Sequence, residues 1–397
     1  MKYRVYNKKI GIVLSSTPGY SETFFKSKIK GLQESGYDVT LFVDTINSEF
    51  DLCAIKKSNS IHIGNFYLLF FNFPLVFIKL LFFPKRLIRY YNLEKNRGCN
   101  TLSFFKKCYL NEKIITSDLD WLHFGFATLA IGKENLAKSM KSKMSVSFRG
   151  YDINLYPLKY KNCYDLLWKR VDKVHSISKF LIERAFLLGL NKKTPFEIIH
   201  PAIDLDKLPT RQVLENDEIV ISTVARFNWI KGLDIAIDGM KLLKEEGVKF
   251  QYHIIGTGTN QAEIERYKFQ VHQLNLGKSI SFHDQLSHNE TLKLISKSHI
   301  YLQPSLNEGF CNSVLEAQAM GIPCLVSDVG AMKENIVEGK TGFVFNAYDC
   351  KDLVVRLLFI NSIPSSNKKT MSINSKERVR TLFSLKKQEE DFLKFYI

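Results

Sequence analysis

Short apolar runs and helical stretches alternate along this chain twice over, and that alternation leaves few folds open. Ile10–Leu14 is an apolar run, and Phe25, Ile29 and Leu32 follow at i, i+4 and i+7, one face of a helix that Gly36 closes. Val39–Val43, Trp121–Phe126, Met144–Phe148, Val174–Ile177 and Phe196–Ile199 continue the strands, and Ser178 is placed to cap a helix that Gly189 ends. The periodicity lapses over residues 200–217, HPAIDLDKLPTRQVLEND, which read as a linker with two prolines. It restarts at Ile219–Ala225, a strand before a helix marked by Leu233, Ile237 and Met240. Phe250–Ile255, Ile280–Phe282, Ile300–Leu302, Pro323–Ser327 and Gly342–Phe345 fit further strands. Ser287 and Glu290 have the spacing of a capping box for a helix from His288 to Ser296. Strand–helix alternation predicts parallel sheets covered on both faces. The chain therefore reads as α/β with two domains of similar size, residues 1–205 and 206–372, and a tail of surface helices over 373–397. Such sheets bind ligands beyond the carboxyl ends of their strands, so a cleft between the domains is the expected site.

Charge divides along the same line. The 397 residues carry +16, and residues 1–200 hold 32 basic and 16 acidic side chains while residues 201–397 hold 24 of each. The first half thus expects an anionic partner: nucleic acid, a membrane surface or an acidic substrate. Seven cysteines without a Cys-x-x-Cys pair disfavour a disulfide framework or a structural zinc and suit a reducing cytoplasm. The basic N-terminus leads into an apolar run too short for a signal peptide. Phe66–Phe83 has 15 apolar residues in 18, but Asn72, Pro74 and Lys79 interrupt it, and a spanning helix needs about 20. Two readings stay open: a pair of buried helices broken at Pro74, or a segment lying in a membrane interface with Lys85, Arg86 and Arg89 near anionic headgroups.

Three motifs carry chemistry. In PSLNEGFCNSVLEAQAMG, residues 304–321, a strand leads through a glycine loop into a helix starting near Asn312. A helix N-terminus offers unpaired N–H groups to a phosphate, Gly309 allows close approach, and Glu316 could accept hydrogen bonds from sugar hydroxyls. The plain alternative is a loop glutamate, Glu308, and a solvated helix glutamate. In VARFNWIKG, Arg226 and Lys231 follow a strand and can clamp a diphosphate, or can be two solvated cations. Gly256-Thr257-Gly258 lacks the third glycine of a dinucleotide fingerprint and reads as a tight turn beside the cleft.

Together these motifs, with HIIGTGTN, SISFHDQLS, YLQPSLNEGF and EGKTGFVF in order, resemble the nucleotide-sugar-binding domain of retaining glycosyltransferase family 4. PGYSETFF, GLQESGYDVTLF, WLHFGFATLA, SFRGYDI and IIHPAIDLDKL resemble the first domain of its capsule, exopolysaccharide and lipopolysaccharide enzymes. The resemblance implies the GT-B fold, two Rossmann-like domains facing across a cleft, with residues 373–397 packing back on the first. It implies that Arg226 and Lys231 bind the donor diphosphate, that Glu308 and the backbone of Gly309, Phe310 and Cys311 face the transferred sugar, and that Asn312 and Ser313 lie near the phosphates. Gly256 would border the donor, and Glu316 would hold the ribose. Fixed cations and helix N–H groups at the phosphate lower the barrier electrostatically, so no metal or other cofactor is expected.

Where many relatives carry a histidine, SFRGYDI has Arg149, so Arg149 could bind an anionic acceptor or the donor phosphate, and Arg149 and Asp152 stand as acceptor-side candidates. His123 is the substitute catalytic histidine or else a structural one. Ser21 or Thr23 caps the following helix, or Ser21, Glu22 and Thr23 meet the acceptor or donor at the cleft. The expected activity is transfer of a sugar from a nucleotide-sugar to a glycan or lipid-linked glycan in cell-surface polysaccharide synthesis. It would take place in the cytoplasm, in peripheral contact with an anionic membrane on the inner face. A nucleotide-sugar epimerase of the same fold needs more cleft carboxylates than Glu308, Glu316 and Asp152 supply. A nucleic-acid binder would need a motif that is not seen, so no nucleic-acid partner is expected.

Overall fold

Both sheets of the computed structural model are wholly parallel. It describes residues 8–19, 23–47, 49–61, 66–212, 217–258, 260–284 and 286–397, with only the backbone for Thr23 and residues 66–71. The chain divides into two units, the first formed by Met1–Ile177, Leu181–Ile199 and Gln388–Ile397, the second by Ser178–Phe180 and His200–Lys387.

The first unit holds strands β1 (Lys9–Ser16), β2 (Asp38–Thr45), β3 (Ala54–Lys57), β4 (Trp121–Phe124), β5 (Lys143–Phe148), β6 (Lys173–Ser176) and β7 (Phe196–Ile198) in the order β3-β2-β1-β4-β5-β6-β7. Register places Ile12 beside Leu41 on one side and His123 on the other. The second holds β8 (Ile219–Val224), β9 (Phe250–Ile255), β10 (Ile280–His283), β11 (Ile300–Gln303), β12 (Cys324–Ser327) and β13 (Gly342–Phe345) in the order β10-β9-β8-β11-β12-β13. Strand direction of travel reverses between β8 and β11, so the loops leaving those two strands border the crevice in which such sheets bind ligands.

The helical faces read from spacing are the ones buried: Phe25, Ile29 and Leu32 in the first unit, Leu233, Ile237 and Met240 in the second. Ser287 and Glu290 form the expected capping box at the start of helix His288–Ile295.

The tail departs from expectation. Helix Ser365–Leu382 runs through residue 373 without a break and belongs to the second unit, which extends to Lys387. Only Gln388–Ile397 joins the first, where Phe392, Phe395 and Tyr396 enter its core beside Ile10 and Trp121. The linker expected from residue 200 is likewise part of the second unit from His200 onward.

The apolar segment also differs from the buried-pair reading. Helix Phe66–Leu81 continues through Pro74, and the break falls instead at Phe82 and Phe83, before Pro84 at the first turn of helix Pro84–Lys95. Proline is tolerated at that first turn because its missing N–H has no helical partner there. No described helix is long and apolar enough to cross a membrane.

Candidate functional site

The loops leaving β8 and β11 are fastened to each other. Asn228 caps a short turn, Trp229–Lys231, by accepting the Ile230 N–H through its side chain (3.1 Å). Ile230 in turn accepts the backbone N–H of Leu306 (2.7 Å). Gly232 follows in the left-handed region (φ 61°), and a Cβ there would stand 2.1 Å from the carbonyl oxygen of Pro304. The two loops meet at that glycine because nothing larger fits.

Gly232→Ala is therefore expected to lower stability by about 2–5 kcal/mol, the left-handed penalty of about 1–2 plus an overpacking cost of about 1–3. Gly247 is equally left-handed (φ 77°) with nothing within 4 Å of its Cβ direction. Gly247→Ala should lose only the first part. Denaturant melts of the two variants check the difference, and equal losses would show that the contact with Pro304 carries no weight.

This fastening brings Lys231 and Glu308 together. The Lys231 ammonium pairs with Glu308 Oε1, and the two side chains are only 16% and 13% exposed. Glu308 Oε1 also accepts the Ser305 hydroxyl (3.0 Å). Ser305 accepts from the Gln303 amide (2.9 Å), and Gln303 Oε1 accepts from the Tyr301 hydroxyl (2.8 Å). Tyr301, Gln303 and Ser305 are fully buried, so a chain of hydrogen bonds from β11 fixes the carboxylate. On its other side the Glu308 carbonyl accepts the Ala331 N–H (3.0 Å). Arg226, the other expected diphosphate clamp, is exposed and makes no ion pair among the described residues.

Beyond Glu308 the chain enters helix Asn312–Ala319, whose N-cap, Cys311, makes no side-chain cap and whose first turn holds no acid. An uncapped N-terminus presents backbone N–H groups and a partial positive charge. Asn335 brackets Cys311, accepting its N–H (3.1 Å) and donating to its carbonyl (2.9 Å), which fixes the entry to the helix. Burial pushes the Cys311 thiol up to about 11, so it is no nucleophile at neutral pH. The Phe310 ring packs on His200 and Phe383. Asn312 and Ser313 begin the helix, as expected.

Glu316 sits one turn in rather than in the first turn, and its Oε1 meets His288 Nε2 at 2.7 Å. That hydrogen bond holds the imidazole above its ordinary 6.5. Gly256 leaves β9 against β8, where a Cβ would lie 2.0 Å from the Ala225 carbonyl, and Thr257 accepts the Phe227 N–H (3.0 Å). The glycine turn thus supports the Arg226 loop.

The first-domain candidates fall differently. Ser21, Glu22 and the Thr23 side chain lie outside the described residues. Asp152 is buried, and its carboxylate takes the N–H groups of Ala127, Arg149 and Gly150 (3.1, 3.0 and 2.9 Å), which makes it the holder of that turn. The Arg149 guanidinium lies over the Phe24 ring at 3.7 Å.

The surroundings of His123 fit the structural one of its two readings. It is fully buried, with Ser145 and the Tyr396 hydroxyl on Nδ1 (both 2.8 Å) and Ser147 on Nε2 (2.7 Å). Burial, and next the Lys28 charge, push it well below 6.5. A neutral ring sealed in this way is a core hydrogen-bonding element and not a proton shuttle to substrate.

His288 and Asn335 hold residues of the candidate site, and sequence reasoning passes over both, since neither lies within a motif that reports its partner. Among the described residues no group of three or more His, Cys, Asp or Glu side chains is placed to hold a metal ion.

Comparison with known proteins finds a family model that spans these loops. Residues 206–378 match the family described as Glycosyl transferases group 1. The amylovoran biosynthesis glycosyltransferase AmsK of Erwinia amylovora is 26% identical over 258 residues, which cover 62% of this chain and 62% of that relative, less than two thirds of its length. Sucrose-phosphate synthase from Thermosynechococcus elongatus superposes with a TM-score of 0.73 at 16% identity, covering 98% of both chains. Anabaena HepE in complex with UDP-glucose gives 0.71 at 12%, covering 98% of this chain and 99% of that one. At such identities the likeness shows the fold, and it is GT-B.

Proposed function

We propose, on the premise that residues 206–378 form a glycosyl transferases group 1 domain, that this chain is a retaining glycosyltransferase acting on a nucleotide-sugar. The acceptor would be a glycan or lipid-linked glycan in cell-surface polysaccharide synthesis, a role in keeping with the name of its amylovoran relative. The observation that carries the reading is the Lys231–Glu308 pair beside the uncapped N-terminus of helix Asn312–Ala319, at the carboxyl ends of β8 and β11.

Breaking the bond between a sugar and a nucleoside diphosphate builds negative charge on the phosphate and positive charge on the sugar. Lys231, Arg226 and the helix N–H groups would take the first, with Asn312 and Ser313 beside them. Glu308, with the backbone of Gly309, Phe310 and Cys311, would face the second. Glu316 would accept the ribose hydroxyls, and His288 would hold its carboxylate in position. The protein cations would do at the diphosphate what a metal does elsewhere, so the reading needs no added cofactor.

Thermal melts with UDP-, GDP- and ADP-sugars test the donor, UDP-glucose first. A true donor at about a hundred times its Kd should stabilise the second unit by about 2.7 kcal/mol. The anomeric configuration of the product, read by NMR, then tests retention. No shift with any nucleotide sugar, together with no donor hydrolysis, would sink the proposal.

A further inference from the structure

We propose that helices Phe66–Leu81, Pro84–Lys95 and Thr101–Leu110 form a docking surface for an anionic lipid bilayer. The inference rests on the first unit alone and does not depend on the donor reading above.

Each helix keeps one side inside the unit and turns another out. The inward positions recur at the same i, i+4 spacing: Val76 and Leu80, Tyr90 and Glu94, Phe104 and Cys108 are buried. Aromatic contacts tie the helices to one another, with Phe77 on the partly exposed Phe105 (ring centroids 5.5 Å) and the partly exposed Tyr91 on buried Phe104 (5.2 Å). The outward positions are large and apolar where a soluble surface would be polar. Leu75, Ile78 and Phe82 follow one another at i, i+3 and i+7, and Phe82 is 78% exposed. Ile88 is 60% exposed on the second helix and Leu102 80% exposed on the third. Single exposed leucines need no explanation, but several large apolar side chains exposed on three helices that pack on one another mark an interaction surface.

Lysines alternate with these side chains. Lys79 lies one turn from Leu75, Lys85 one turn from Ile88, and Lys106 one turn from Leu102; all three lysines are exposed, as is Lys95. The sole acid between residues 66 and 111 is Glu94, and it is buried with Lys107 and Asn135 on its oxygens. The outer face is therefore cationic and apolar with no carboxylate.

Arg86 and Arg89 do not share this role. Arg86 donates to the carbonyls of Ile115 and Ser117, and Arg89 to that of Ser139, so both tie the second helix to the unit. The lysines thus supply the outward charge.

A bilayer surface matches both halves of this pattern. Apolar side chains enter the headgroup–acyl boundary while lysines on the same face meet anionic headgroups. A nucleic acid would answer the charge but would gain nothing from Leu102 or Phe82. The longest helix, at 16 residues, spans about 24 Å, short of the roughly 30 Å hydrocarbon core, so it would lie in the interface and not cross it.

Flotation of the full chain with phosphatidylcholine vesicles, with and without about a third phosphatidylglycerol, tests the surface. Binding is expected only to the anionic vesicles. K79E/K85E and, separately, I78S/F82S should each lower the bound fraction at least about tenfold, with melting temperature and nucleotide-sugar thermal shift unchanged. Failure to float with anionic vesicles, equal flotation with neutral ones, or wild-type flotation of both variants would overturn the proposal. So would a dimer on gel filtration that I78S/F82S abolishes without lipid present, which would assign the face to a second copy of the chain. An unchanged nucleotide-sugar shift in a chain that does not float would leave the donor reading intact.

Discussion

Lys231→Ala is expected to slow sugar transfer by about 10²–10³, the loss typical of removing one preorganised charge from a developing oxyanion. The loss should fall on kcat more than on KM, since the charge it answers grows only as the phosphate leaves. Glu308→Gln should cost a similar factor for a complementary reason. The carboxylate is held by Lys231 and by the Tyr301–Gln303–Ser305 chain, and an amide in its place keeps the shape but loses the charge facing the sugar. The two side chains touch, so K231A/E308Q should lose clearly less than the product of the single losses. Lys231→Arg should rescue little, because a planar guanidinium does not replace a compact ammonium in a site this enclosed. Cys311→Ser provides the contrast. Its thiol is inert, and its contribution is a backbone held by Asn335, so activity should change little. These rates require a working donor and acceptor pair, and wild-type transfer by both K231A and E308Q would remove the residues from the mechanism.

Much of this site is legible in the sequence because its signals are local. The capping box at Ser287 and Glu290 spans four residues, and β8 and β11 are short apolar runs followed by loops rich in glycine and charge. The run-based reading fails where burial is not the cause of structure. β3 (Ala54–Lys57, AIKK) is an edge strand with no buried residue, so it leaves no hydrophobic pattern to find. It fails again where a role depends on residues far apart in sequence. His288 lies 28 residues from Glu316, and only the packing of two helices brings them together. His123 looks like a polar residue at a strand end, but its partners come from β5 and from Tyr396, 273 residues away. The return of the chain near residue 388 is hidden for the same reason. Helix Leu385–Phe395 is amphipathic and helix Ser365–Leu382 is polar nearly all round, and nothing in their spacing says which unit receives either.

The network around His123 should make the first unit acid-sensitive, and Lys28 should be the reason it can be relieved. Lys28 is fully buried, lies 3.2 Å from His123 Nε2 and 4.4 Å from the Phe392 ring centre, and forms no ion pair among the described residues. Burial, then the Arg149 charge, holds its ammonium well below the usual 10.5. His123 is likewise held well below 6.5, by burial first and then by Lys28, His175 and Arg149.

Both shifts have the same sign: the unfolded chain binds a proton that the folded one refuses. Stability contributed by His123 is therefore intact above 6.5 and falls as pH drops below it, by up to about 1.4 kcal/mol per pH unit until the folded pKa is reached. Lys28 begins to cost stability as pH falls below 10.5, and the full cost is in place once pH is below its own lowered value. Lys28→Met removes that cost and also one of the charges depressing His123. It leaves no orphan, because Ser147 still meets His123 Nε2 at 2.7 Å, and a thioether packs well on Phe392.

The variant should be more stable than wild type at pH 7, and its acid transition should move to lower pH. Trp121 packs edge-on against Tyr396 with ring centroids 5.7 Å apart, so tryptophan fluorescence in a W229F background reads this unit directly. A Lys28→Met chain that melts earlier, or a first unit whose stability does not fall between pH 6.5 and 4.5, would show that the lysine and the histidine are held by something other than this buried network.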